Sequence, residues 1–328
     1  MYLFIACIAL LYLCSLFTET NVVNFKKEKV IPLKAILALL IILHHISLEN
    51  TITWLSPLKS WGAPIVSIFL FISGYGLMMS YNKFGGGYLS GFVKHRIIDA
   101  ITLSFLLTSL LYWCIVPDLP GIVESVRLLI TKGVVLLPHS WYVFAILILY
   151  TTFYISCKFM SGVNVLIMLT TLCVAYIITT SQLGYARCWY ISALAFPAGA
   201  VYAYWAKDFS NNVSKKPWWF IPLCVLFAAL LYFTHSELGY MLVYVLIPFM
   251  VVYLCSILNI DKLGNIKLFR WLSAISYEIY LCQGIALYLA GKVVVDSSLL
   301  YVLCVFILTF AFAYIVKESK LFILNRCN

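Results

Sequence analysis

Apolar runs long enough to cross a bilayer recur along the chain, each closed by a short polar segment. They fall near residues 2–18, 31–48, 62–80, 97–116, 140–156, 163–180, 187–205, 217–234, 238–258, 271–291 and 296–316. A helix needs about 20 predominantly apolar residues to traverse the hydrocarbon core. The pattern predicts an all-α, polytopic transmembrane helical bundle of about ten core helices plus one extra N-terminal helix. Residues 1–30 form that extra helix with a basic linker, 31–316 the transmembrane domain, and 317–328 a short basic tail. Two connecting segments stand out by length. The run GIVESVRLLITKGVVLL within 117–139 is partly amphipathic, and either lies on the membrane or seals the bundle as a surface helix. Residues 81–96 contain Gly85, Gly86 and Gly87, which make that loop flexible. No repeat relates the two halves, so the inverted-repeat pattern of many transporters is not evident.

The polar positions inside the apolar runs carry the functional signal. IPLKAILALLIILHHIS, 31–47, holds Lys34 and His45. Their spacing places them about 16 Å apart along a helix and within about 20° of one face, whereas His44 points roughly 100° away from His45. Ionisable groups are costly in hydrocarbon, so two on one stripe predict a single polar tunnel through the bundle.

Composition fixes the class. The chain is 64% hydrophobic and 10% charged, with mean hydropathy +1.02, against roughly 25% charged residues in a soluble domain. No stretch is polar enough for a separate soluble domain. A net charge of +10 would suggest nucleic acid in a soluble protein. Here its distribution reads as topology, and no nucleic-acid partner is expected. Of the 22 lysines and arginines, Lys59, Arg127, Lys132, Arg187 and Lys292 fall on one side of the alternating loops and the remainder on the other. The larger set is then cytoplasmic, with the N-terminus outside and the C-terminus inside. Residues 1–18 have no basic n-region, which argues for an uncleaved first helix. Eleven cysteines are scattered without a CxxC or a Cys/His cluster, so no disulfide framework, metal site or redox motif is expected.

Each candidate residue has a plain alternative. His45 is either a general base or acyl-accepting imidazole, or a histidine bonding a neighbouring helix. Lys34 is either a contact for an anion or a snorkelling anchor. Lys94, His95 and Arg96 form a basic cluster suited to phosphates, with Asp99 placed to pair with Arg96. Ser73 and Gly74 read as a helix-packing site, with a substrate role for Tyr75 secondary. His139 and Arg187 are candidates for binding a carbohydrate, while the adjacent Trp and Tyr residues read as an interfacial belt. Ser276, Tyr280 and Gln283 share one face of a late helix. Glu278 beside them needs a partner or a neutral form.

In order, these segments resemble the acyltransferase-3 family of integral membrane O-acyltransferases. Lys34 and His45 match its Arg/Lys-x10-His signature. FLFISGY (69–75) is similar to an FFxxSGY stretch, and Phe92 to Arg96 to a basic F-x-x-x-R patch. SYEIYLCQ (276–283) is similar to an SYxIYLxH segment. WYVFAILILY (141–150) and CWYISALAFPAGAVYA (188–203) extend the likeness over roughly 31–316. Departures are Lys34 for the commoner arginine, Leu70 for phenylalanine, Asp99 where many members have a second arginine, and Gln283 for a frequent histidine.

The resemblance implies a transferase of the bacterial inner membrane. It would carry an acetyl or other acyl group from cytoplasmic acyl-CoA to a hydroxyl of an extracytoplasmic or lipid-linked glycan of the cell envelope. On that reading His45 is catalytic, and Lys34, Lys94 and Arg96 bind the donor. His139, Arg187, Ser276, Tyr280, Glu278, Gln283 and Tyr75 contact substrate. Acetyl-CoA is a co-substrate, and no cofactor is permanently bound. The alternative is a transporter or flippase for a glycan or lipid-linked precursor.

Overall fold

The computed structural model describes residues 27–49, 52–205, 220–233, 235–258, 260–293 and 298–327, together with Cys7 and Phe25. Apart from Cys7, the span expected at 2–18 lies outside them, as do Lys26, Lys207, Lys215 and Lys216. The described residues form helices and no strand. The principal helices are α1 (Lys27–Glu49), α2 (Gly62–Phe84), α3 (Val93–Ile115), α4 (Ile122–Lys132), α5 (Trp141–Phe159) and α6 (Val163–Gln182). They continue with α7 (Ala195–Tyr204), α8 (Phe220–Phe233), α9 (Glu237–Ile257), α10 (Lys267–Ala274), α11 (Ser276–Val293) and α12 (Ser298–Cys327). Among the described residues, seven helices are long and apolar enough to cross a membrane. The α10–α11 pair makes an eighth span if counted as one. The protein is a multi-pass helical membrane protein.

Four segments differ from the simple pattern. The span expected at 187–205 is a short 3-10 turn, Arg187–Trp189, followed by the ten-residue α7. Pro197 accounts for this: it lacks an N–H and clashes with the carbonyl four residues earlier, so it fits the first turn of a helix and not its middle. The span expected at 271–291 is bent by 71° between α10 and α11. At the bend Ser276 Oγ donates to the Ser273 carbonyl at 3.0 Å, the serine substitution of a ladder bond that accompanies many kinks. The first part of α3, Val93–Thr102, is π-helical. Asp99 there meets His95 at the ordinary i,i+4 spacing, at 3.2 Å, and the wider turn also brings Lys94 to it at i,i+5, at 3.6 Å. This corrects the expected Arg96–Asp99 pair. Finally, the expected basic tail is the last part of α12, and Lys320 within it is buried.

The tightest crossing joins α2 to α7. A Cβ on Gly74 would lie 2.0 Å from the Phe196 carbonyl oxygen, and one on Gly199 would lie 2.0 Å from that of Phe71. Glycines thus let the two backbones touch, the usual device where lipid supplies no hydrophobic drive for association. Gly74→Val is expected to destabilise the protein by about 1–3 kcal/mol through overpacking, read as a lowered unfolding midpoint in detergent.

The bundle centres on α11, which packs against α1, α3 and α12. α1 is held at its start by Lys29, whose Nζ donates to the Ser256 carbonyl on α9 at 2.6 Å. Helix α4 buries none of its side chains and leaves Ile122, Val123, Val126 and Ile130 exposed on the bundle surface.

Candidate active site

The stripe of α1 that carries Lys34 and His45 faces the polar side of α11, and two cavities open along this seam. The first, about 390 Å³, is lined by Lys34, Arg96, Lys317 and Lys320, by Glu278 and Ser276, and by Ser73, Tyr142, Tyr150 and Tyr277. Lys320 is fully engaged: its Nζ donates to Glu278 Oε1 at 3.1 Å, Ser104 Oγ at 2.9 Å and the Ala100 carbonyl at 3.2 Å. Ser104 Oγ also donates to Glu278 Oε1 at 3.0 Å. Glu278 therefore has the partner that its depth demands. Among the described residues Lys34, Arg96 and Lys317 form no ion pair, and Arg96 rests against the Tyr88 ring at 5.7 Å. Three cations without an ion-pair partner, around a cavity that also holds Glu278, can receive a polyanion such as a di- or triphosphate ester.

The second cavity, about 420 Å³, is lined by His44, His45 and His139, with Lys59, Trp141, Cys188, Ser192 and Tyr244. The rings of His45 and His139 stack with centroids 3.8 Å apart and planes 16° from parallel. His44 also lines it, its ring centroid 5.0 Å from that of His45 and its Nδ1 hydrogen-bonded to the Leu58 carbonyl at 2.9 Å. Gln283 on α11 lies within reach of the His45 ring. Neither His45 Nδ1 nor Gln283 Oε1 has a formed hydrogen bond, although His45 is only 5% exposed. His45 lines this cavity; with Nδ1 enclosed beside the Gln283 amide, the other ring nitrogen is the one that can take a proton from a bound hydroxyl.

The tunnel expected from the sequence is divided in two. Lys34 lines the cationic cavity and His45 the histidine cavity, and the cavities meet at Ile41, Val66 and Tyr280, which line both. Tyr280 donates its hydroxyl to the His139 carbonyl. His139 sits in the loop before α5 with φ of 64°, a left-handed conformation that a non-glycine residue adopts at a cost. That geometry turns the imidazole back over His45.

Burial, and secondarily the nearby His44, lowers the His139 pKa from its ordinary value to about 4. The stack is neutral on the His139 side at pH 7. A group whose folded pKa is depressed in this way binds its proton more readily when unfolded. Stability is then lost as pH falls from the ordinary histidine range through about 4. His139→Asn, which tolerates positive φ, is expected to flatten this acid loss. The unfolding midpoint of the unsubstituted protein should drop further than the variant's between pH 7 and 4.5, by roughly 2–4 °C per kcal/mol of difference.

Other candidate residues lie elsewhere. Lys94 is half-exposed beside Asp99 and lines neither cavity. Arg187 is exposed, pairs with Glu237 at 2.9 Å and lies over the Tyr240 ring at 4.4 Å. Tyr75 donates to the Phe25 carbonyl at 2.9 Å and secures the chain entering α1. Ser276 lines the cationic cavity, its hydroxyl spent on the α10–α11 bend. Gln283 donates Nε2 to the Tyr280 carbonyl at 2.9 Å.

Lys317 and Lys320 were not anticipated as site residues. Their signal is present: Thr309, Ala313, Val316 and Lys320 are all buried and follow helical spacing, so the inward stripe of α12 runs unbroken past the last long apolar run.

This membrane bundle sets a cation-lined cavity against a histidine-lined one, with room for an anionic ligand beside a buried imidazole. The acyltransferase-domain family model Acyl_transf_3 matches residues 32–318, and the chain belongs to this acyltransferase-3 family. It is a membrane acyltransferase. Neither a curated protein nor a solved structure matches the chain.

Proposed function

We propose that this acyltransferase takes an acyl group, acetyl in the simplest case, from acyl-CoA in the cationic cavity and delivers it to a glycan hydroxyl in the histidine cavity. The observation that carries this reading is the pair of abutting cavities, one lined by Lys34, Arg96 and Lys317, which form no ion pair, and the other by His45 and His139. Lys34, Arg96 and Lys317 contact the phosphates of CoA, and the pantetheine arm runs toward the partition. His45 accepts the proton of the acceptor hydroxyl. With the cationic cavity facing the cytoplasm of a bacterial inner membrane, the acceptor is an extracytoplasmic or lipid-linked glycan. Aromatic walls at Trp141 and Tyr244 suit a sugar face. The transporter alternative gains nothing from the family match or from cavities that abut across a partition.

The test uses purified protein with acetyl-CoA and an envelope glycan fraction. Release of free CoA thiol that depends on the glycan, together with a new ester on the glycan by mass spectrometry, is the expected result. Glycan movement across vesicles without thiol release would overturn the reading.

A further inference from the structure

Acyl transfer to a hydroxyl passes through a tetrahedral intermediate whose carbonyl oxygen carries negative charge, and a donor must meet it. Many enzymes use free backbone N–H groups. Inside a helix the backbone donors are already paired, so a donor has to be a side chain or an N–H at a helix start, such as the beginning of α5 or of α11. It must also stand where the two cavities meet, since the acyl carbon has to be within reach of both donor and acceptor at the moment of transfer.

Of the three residues that line both cavities, Ile41 and Val66 are aliphatic, and only Tyr280 carries a polar hydrogen. Its ring centroid is 6.2 Å from that of His45. Other donors nearby are saturated or misplaced. Gln283 lines neither cavity. Lys320 is saturated by three acceptors. His139 lines only the histidine cavity. The Tyr280 ring is fixed by edge-on contact with Tyr142, centroids 5.2 Å apart. Its hydroxyl, resting on the His139 carbonyl, re-aims by rotation about a single bond.

We propose that Tyr280 is a catalytic residue whose hydroxyl donates to the acyl oxyanion at the junction of the two cavities. The inference deepens, and rests on, the acyl-CoA reading above. His45 takes the proton from the acceptor hydroxyl as that oxygen attacks the thioester carbon. The C–O bond forms, the carbonyl π-electrons move to oxygen, and Tyr280 hydrogen-bonds the resulting oxyanion. Collapse restores the carbonyl and breaks the C–S bond, and the departing CoA thiolate takes the proton from the His45 imidazolium. The products are the ester and CoA thiol. If the acyl group first rests on His45, an oxyanion forms in each half-reaction, and Tyr280 serves both.

Tyr280→Phe keeps the ring and the partition and removes only the hydroxyl. With acetyl-CoA and the envelope glycan fraction, kcat is expected to fall roughly 10²–10³-fold while the KM for acetyl-CoA stays within about threefold. Because the same hydroxyl steadies the His139 loop, a second measurement separates the roles. Replacing Tyr280 with mono-, di- and trifluorotyrosine raises phenol acidity at nearly constant shape. A single-turnover rate that tracks this acidity supports oxyanion donation. A rate flat across the series, or a Tyr280→Phe variant as fast as the unsubstituted protein, overturns the proposal while leaving the donor assignment intact. Absence of any CoA release by the unsubstituted protein overturns both.

Discussion

His45→Ala is expected to lower acyl transfer by roughly 10³–10⁴-fold, the upper range for loss of a positioned general base, with little change in how tightly acetyl-CoA binds. The separation of effects follows from the geometry. The cations proposed to hold the donor line the other cavity, and helix rise puts Lys34 about 16 Å from His45. The His45 ring is stacked on His139 and neighbours the Gln283 amide, so its removal should break little beyond these contacts. Protein yield and unfolding midpoint should change little. The decisive comparison is equilibrium binding of acetyl-CoA against single-turnover transfer in the same preparation. Transfer within a few-fold of normal would remove His45 from the chemistry. Loss of donor binding in parallel would make it part of the donor site.

Much of this arrangement is legible in the sequence, and what is not has identifiable physical causes. The Lys34–His45 stripe is legible because one helix sets both its spacing and its phase. Glu278's need for a partner follows from its depth, but the partner's identity does not: Lys320 comes from another helix, and sequence spacing carries no record of which helices touch. The same limit hides the partition, which combines Ile41 of α1, Val66 of α2 and Tyr280 of α11. Local geometry caused the other departures. Spacing at 3.6 residues per turn offers Asp99 both Arg96 and His95 and does not choose between them, and the π-helical start of α3 adds Lys94 as a partner. Hydropathy stops at the first lysine of α12, whereas the buried stripe continues to Lys320. Arg187 illustrates the converse: a charge at an expected interface can be absorbed by a neighbour, here Glu237.

The basic residues thus divide by partner rather than by position. Lys29 and Lys320 are buried but consumed by structure, one on the Ser256 carbonyl and one on Glu278. Lys34, Arg96 and Lys317 line one cavity without an ion-pair partner. A purely topogenic role would require no such grouping.

Lys320→Met is expected to destabilise the protein by about 3–5 kcal/mol, the cost of leaving a buried charge without its partner. Lys320 Nζ and Glu278 Oε1 are 3.1 Å apart, with side chains only 9% and 2% exposed, and Ser104 joins them, so the cluster fastens α3, α11 and α12 together. Removing Lys320 also releases the Glu278 carboxylate toward Lys34 and Lys317. The net positive charge facing the donor phosphates falls, and acetyl-CoA should bind more weakly even though Lys320 itself contacts no phosphate. Both effects come from the abandoned carboxylate, so both should be reversed by a second change. In Lys320→Met/Glu278→Gln the carboxylate is gone, and most of the lost stability and donor affinity should return, a strongly non-additive result for two residues in contact. Detergent unfolding and acetyl-CoA titration on the two single variants and the double variant measure this directly. Additive losses would mean that Glu278 acts on the donor itself, and a Lys320→Met variant within about 1 kcal/mol of normal would mean that the pair is solvated and carries little of the fold.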